Sequence, residues 1–226
     1  MKRFWKDVSV ENGQVALDGK PVRTPDRAAL ALPTPALAEA VADEWRAVGE
    51  TIDPRVMKLT GLANAAIDKI GPDPAPFAAG LAAYGESDLL YYRAGEPEPL
   101  VARQAESWDP LLDWARSRYD VHFETATGVI HKAQPQATTA RLAEAVGALD
   151  GFHLAGLHPL VTISGSLVGA LALLEGAIDA ETLWQAAHVD ELWQAEQWGE
   201  DELAVQARNT RRLDFDAGAK FLTLLN

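Results

Sequence analysis

The sequence predicts an α+β fold: a small antiparallel β-containing N-terminal domain followed by a larger, mainly helical C-terminal domain. Three observations carry this. Asn12-Gly13 and Asp18-Gly19 are two-residue turns of the kind that close β-hairpins. Helical spacing of apolar residues takes over after Pro33. Gly71-Pro72-Asp73-Pro74-Ala75-Pro76 places three prolines in six residues, the strongest break in the chain. It sets the expected domains at 1–75 and 76–226.

Phe4 to Val10, Gln14 to Leu17, Lys20 to Thr24 and Ala29 to Leu32 read as short strands of a meander, turned at the two Gly dipeptides and at Pro25-Asp26-Arg27. Thr34-Pro35 opens the first helix, with Thr as N-cap and Pro in the first turn. Leu37, Val41, Trp45 and Val48 follow at helical spacing until Gly49. A second helix is expected from Asp53-Pro54 to Ile70, with Met57, Leu59, Leu62, Ala63, Ala66, Ile67 and Ile70 facing inward. Past the prolines, helices are expected at Phe77–Tyr84, around Ser87–Tyr92, and at Pro99–Tyr119, Thr138–Asp150, Phe152–Leu174 and Ala180–Arg208, with a last one near the C-terminus. Val121–Phe123 and Val129–His131 are read as a short β excursion.

Composition narrows the function. The 226 residues carry 33 acids against 20 Lys plus Arg, a net charge of −13 that argues against nucleic acid as a partner. With no cysteine there is no disulfide, no thiolate chemistry and no Cys-ligated zinc. Met1 to Asp7 has no apolar stretch of signal-peptide length, and acids begin too early for a transit peptide. The most apolar run, Leu160 to Leu174, spans 15 residues and is interrupted by Thr162, Ser164 and Ser166. It is too short for a bilayer and reads as a buried helix. A cytoplasmic, not membrane-spanning, monomeric protein is expected.

No motif supplies catalytic chemistry. The segment from Gly13 to Pro21 has one residue too many for a phosphate loop, and Pro21 replaces the metal-binding hydroxyl. Ser164-Gly165-Ser166-Leu167-Val168-Gly169 is not a nucleophile elbow; Gly165 and Gly169 read as a close-packing pair on one side of a helix. His122, His131, His153, His158 and His188 fall in no ligand spacing, and Asp214-Phe215-Asp216-Ala217-Gly218 lacks the remaining ligands of a calcium loop. No catalytic residue, metal ligand or cofactor is assigned. An enzyme would need a dispersed site, with Glu86, Asp88 and a histidine converging.

The charge is local. Residues 175–202 hold nine acids, no Lys or Arg, and three of the seven tryptophans. On one continuous helix Asp190, Gln194, Gln197 and Asp201 form a polar stripe, Ala186, Val189 and Trp193 a second line, and Trp184, Glu191 and Trp198 a third. Arg208, Arg211 and Arg212 either fold back on these acids or solvate their own helix.

Several segments together carry a more specific signal. They are Arg3-Phe4-Trp5-Lys6, the run from Leu17 through Asp18-Gly19-Lys20-Pro21-Val22-Arg23-Thr24 to Pro25, Glu44-Trp45, Ile52-Asp53-Pro54, Leu59 to Asp68, Tyr84 to Arg93, Gln104, Trp108 to Leu112, Gly165-Ser166-Leu167 and Asp190 to Gly199. In this order and spacing the chain resembles, over roughly residues 3 to 225, the ATP synthase assembly factor 2 family, chaperones of the catalytic sector's alpha subunit. The pattern departs near Lys58 and Gly61, where a Pro and an Arg are common in the family. The resemblance implies a protein that binds the free alpha subunit, protects it until the beta subunit replaces the chaperone, and hydrolyses no ATP. It also implies a functionally sensitive acid at Asp190 or Glu191 and a structural role for Trp45, packing on the second-domain side of its helix. Asp190, Glu191, Trp193, Gln194, Glu196, Gln197 and Trp198 are the expected client contacts. A permanent structural subunit is the remaining alternative.

Overall fold

The computed structural model describes residues 2–226. The chain forms two compact units. The first takes everything up to Pro74 together with Leu149–Gly156 and Ala217–Asn226; the second is Ala75–Ala148 with Leu157–Asp216. Two late segments thus belong to the first unit, which a purely sequential division does not anticipate.

In the first unit β1 (Val8–Glu11), β2 (Gln14–Leu17) and β3 (Lys20–Pro21) form an antiparallel sheet in that order, with Val8 opposite Leu17 and Ala16 opposite Pro21. Asn12 and Gly13 (φ 50° and 75°) and Asp18 and Gly19 (φ 48° and 75°) make both turns left-handed, which matches the twist of the strands they join. The expected fourth strand stays a pair of isolated bridges, Gln14 to Ala31 and Arg23 to Ala29. Pro21 lacks an N–H and Pro25 turns the chain away, so that ladder cannot extend.

Helix α1 (Pro35–Ala47) is capped by Thr34, whose Oγ1 accepts from Leu37 N at 3.1 Å. The helix expected over 53–70 is three pieces: a 3₁₀ turn at Pro54–Val56, α2 (Lys58–Ala65) and a π-helical turn at Ala66–Ile70. Met57, with ψ 61°, separates the first two. The Glu44 carboxylate of α1 supplies the missing cap of α2, accepting from the N–H groups of Leu59 and Thr60 at 2.8 Å each. Around these elements Trp5, Val15, Leu30, Leu37, Val41, Met57, Leu59 and Phe221 share one core, with Phe152, Leu224 and Leu225 packed against it. Phe152 and Phe221 stack with ring planes 8° apart.

The second unit is helical. It contains α3 (Pro74–Ala82) from Ala75 onward, 3₁₀ turns at Ala83–Glu86 and Leu89–Tyr91, β4 (Tyr92–Arg93), α4 (Glu98–Tyr119), β5 (Ala126–Thr127) and α5 (Gln136–Gly147). The β excursion is therefore at 126–127, paired in parallel with β4, and not at 121–123 or 129–131.

The run expected as one helix over 152–174 is α6 (Gly151–Ser164) and α7 (Leu167–Leu174). Gly165 turns left-handed at φ 68°, and Ser166 Oγ caps the new helix on Gly169 N at 2.9 Å. The two glycines thus do not share a helix face. A Cβ at Gly169 would stand 2.5 Å from Leu183 Cδ1, so close packing does operate there. The segment 180–208 also breaks, into α8 (Ala180–Ala187), α9 (Val189–Trp198) and the start of α10 (Glu202–Thr223). Among the described residues no helix is long and apolar enough to cross a membrane.

Candidate functional site

The acidic segment is built on the two breaks. At the first, His188 leaves helical geometry (φ −114°, ψ 15°) and its Nδ1 pairs with Trp184 O at 2.8 Å. The imidazole stacks on the Trp184 ring with centroids 3.9 Å apart, and burial holds its pKa below the usual histidine range. Trp184 also meets Phe215 edge-on, so it is a core residue. At the second break Gly199 adopts φ 87°, which ends α9 and lets the chain turn into α10.

These breaks dissolve the stripes drawn on one continuous helix. Asp201 lies beyond the end of α9, and Ala186 and Trp184 lie on α8, out of phase with Trp193 and Trp198.

Within α9 the predicted contacts divide into held and free side chains. Asp190 Oδ1 accepts from Gln104 Nε2 at 2.7 Å, and the buried Gln104 uses its oxygen on Ala94 N at 2.8 Å. Glu191 is gripped by Arg208 at 3.2 Å and Arg211 at 3.1 Å. Glu196 pairs with Arg103 at 2.8 Å, which holds its carboxyl below the usual range, and the same guanidinium lies over the Trp193 ring at 5.1 Å. Gln194, Gln197 and Trp198 point outward, with Trp198 78% exposed. Across Gly199, Leu203 is 73% exposed. Gln194, Ala195, Trp198, Ala204, Val205 and Arg208 help to line a groove of about 210 Å³ at this elbow.

The acids of 175–202 are largely neutralised within the unit. Glu175 binds Arg118 and Tyr119, Glu181 binds Arg212, and Glu200 binds Arg208. Asp179 and Asp201 accept from the N–H groups of Thr182 and Leu203 at the starts of α8 and α10. The three C-terminal arginines fold back on acids, Arg212 also reaching Asp216. Among the described residues the acids of this segment form a salt-bridged frame beside an apolar elbow and not one continuous free stripe. Sequence reasoning missed Leu203 and Arg103, and for Arg208 it left open the fold-back onto acids that the structure shows. Only Leu203, beside the Gly199 break, had a local signal.

Trp45 meets Trp5 at 5.4 Å and packs against the core of the first unit. The groups named for a dispersed active site do not converge. Asp88 is fully buried, with its oxygens accepting from Leu90 N at 3.0 Å and Val168 N at 2.9 Å; burial pushes its pKa up to about 6. Glu86 does approach His131 (3.6 Å), and Tyr92 Oη lies 3.3 Å from that ring, but on open surface. Among the described residues no cluster of His, Cys, Asp or Glu is arranged to hold a metal.

An exposed tryptophan and an exposed leucine at a helix elbow are features of a binding surface. Residues 2–116 match the family profile described as ATP12 chaperone protein. Over 100% of this chain and 98% of its own length, the crystal structure of Atp12 from Paracoccus denitrificans matches at 44% identity and a TM-score of 0.94. An Asp-to-Lys mutant of that P. denitrificans protein matches at 44% identity and 0.93. A candidate chaperone from Agrobacterium tumefaciens matches at 43% identity and 0.93, over 100% of this chain and 86% of its own. The chain belongs to the ATP12 chaperone family.

Proposed function

We propose that this protein binds the unassembled alpha subunit of the F-type ATP synthase catalytic sector and shields its subunit interface until the beta subunit displaces it. It acts as a cytoplasmic monomer without catalysis. The observation that carries the reading is the elbow between α9 and α10, where Trp198 and Leu203 stand exposed on helices whose other faces are tied down. An exposed tryptophan on a rigid support is the kind of group that dominates reversible interfaces. The surrounding held charges contribute register and not bulk attraction.

The test is suppression of aggregation of isolated alpha subunit, with an unrelated aggregating protein as control. Trp198→Ala removes a contact worth ~2 kcal/mol or more, so its Kd for the alpha subunit should rise about 30-fold. Its melting temperature should not change, because the ring is 78% exposed. Equal protection of both proteins, or unaltered affinity of the variant, sinks the reading.

A further inference from the structure

The first unit contains a cavity of about 270 Å³ lined by segments that the elbow does not use. Arg23, Thr24 and Pro25 follow β3, Trp45 comes from α1, Ile52 and Pro54 from the connection, and Met57, Thr60, Gly61 and Asn64 from α2 and its approach. Two of these residues hold buried polar atoms with no hydrogen-bond partner: the donor Trp45 Nε1 and the acceptor Asn64 Oδ1. The third such atom in the described chain, Trp5 Nε1, belongs to a residue outside the cavity wall. A buried polar atom without a partner is costly to leave so, and two on one cavity wall ask for a ligand that answers both.

The remaining chemistry selects among ligands. The two hydroxyls are already engaged, Thr24 Oγ1 donating to Asp68 at 2.6 Å and Thr60 Oγ1 to Glu44 at 2.7 Å. The Asp53 carboxylate is held by Arg55. Arg23 is exposed and spends one Nη1 bond on Arg27 O, at 3.0 Å, leaving the rest of its guanidinium open. The unmet groups are therefore one neutral donor, one neutral acceptor and one cation at the rim, over an apolar wall of Pro25, Ile52, Pro54 and Met57. A donor and an acceptor on residues of one cavity wall complement a peptide group, whose C=O and N–H answer them in turn. The volume lies below the ~300–1,000 Å³ of small-molecule sites and suits one apolar side chain. Gly61 has no atom within 4 Å of where its Cβ would stand, so a backbone can approach α2 closely there.

We propose that this cavity is a peptide-binding site, which takes an extended segment carrying an apolar side chain next to an acidic one. The apolar side chain enters between Trp45 and Met57, the peptide group meets the indole N–H and the Asn64 amide, and the neighbouring carboxylate pairs with Arg23. The two side chains turn slightly toward the peptide; in the free chain no hydrogen bond of Trp45 Nε1 or Asn64 Oδ1 opposes that turn. The site is independent of the elbow and of the identity of the client.

The experiment follows the Trp45 indole N–H in an NMR titration of the ¹⁵N-labelled full chain, with that signal assigned through Trp45→Phe. The probe is a blocked hexapeptide with Glu-Leu-Glu at its centre, and its counterpart has Lys-Leu-Lys. The expected result is a saturable shift with the acidic peptide and binding at least tenfold weaker with the basic one. Gly61→Leu grows a side chain into open space while removing a helix-weakening glycine, so it should fold and abolish the shift. Unchanged signals from the other tryptophans report that it folds. Asn64→Ala is the second variant and should weaken binding at least fivefold. No shift at millimolar peptide, equal shifts with both peptides, or a shift that survives both variants overturns the proposal.

Discussion

At the scale of the residue, Asp88 shows how one side chain joins separate turns of the fold. It caps the 3₁₀ turn at Leu89–Tyr91 through Leu90 N and reaches Val168 N in the first turn of α7. Those bonds favour the anion, but burial outweighs them and raises the pKa to about 6. The folded chain therefore holds this proton more tightly than the unfolded one. The stabilisation is complete below the ordinary carboxylate range and is lost as pH rises through about 6. Compared with Asp88→Asn, the wild-type stability measured by urea unfolding should fall by about 1 kcal/mol between about pH 5.5 and pH 8. A constant difference would exclude the coupling. In the sequence Asp88 reads as an acid within a run from Tyr84 to Arg93 and as a member of a dispersed site; its partner Val168 is 80 positions away, and no local pattern names it. Gly169 was legible as a close-packing glycine, whereas Gly165 was not legible as a left-handed turn, because glycine serves both purposes equally well.

At the scale of the element, α9 is defined by what holds it. Gln104, Arg103 and Arg208 bind three of its acids from α4 and α10, and that leaves the Trp198 end free. Arg208 is the most enclosed of the arginines gripping this segment, its side chain 14% exposed against 38% for Arg103. Arg208→Ala leaves Glu191 with Arg211 alone and should cost about 1 kcal/mol, read as roughly fivefold faster amide exchange in α9 with α7 unaffected. Uniform acceleration across both helices would show a general loss of fold and not a released clasp. The helical content of this region was readable from periodicity, but its breaks were not. His188 carries no strong helix-breaking propensity, and its departure is fixed by stacking on Trp184 and a bond to a carbonyl one turn back. The acids were likewise visible as a block, while their neutralisation by Arg103 and Arg118 depends on contacts more than fifty residues apart.

At the scale of the molecule, the first unit draws on three stretches of chain. The strands and turns of its sheet were legible because Asn-Gly and Asp-Gly act locally. The contribution of Phe152, Phe221, Leu224 and Leu225 to the core was not, because those residues follow ordinary helical spacing with no mark of what they pack against. A fragment of residues 1–75 lacks all four and should show no cooperative thermal transition by near-ultraviolet circular dichroism, while the full chain melts cooperatively. A fragment that melts as sharply as the whole would mean the later segments are dispensable. The bond from Thr34 Oγ1 to Leu224 O reaches across 190 positions. Domains generally fold in order of synthesis, yet this first unit cannot close until residues 217–226 have emerged from the ribosome. The stretch up to Pro74 is made well before the residues that complete its core, and until they emerge the nascent chain carries an open core.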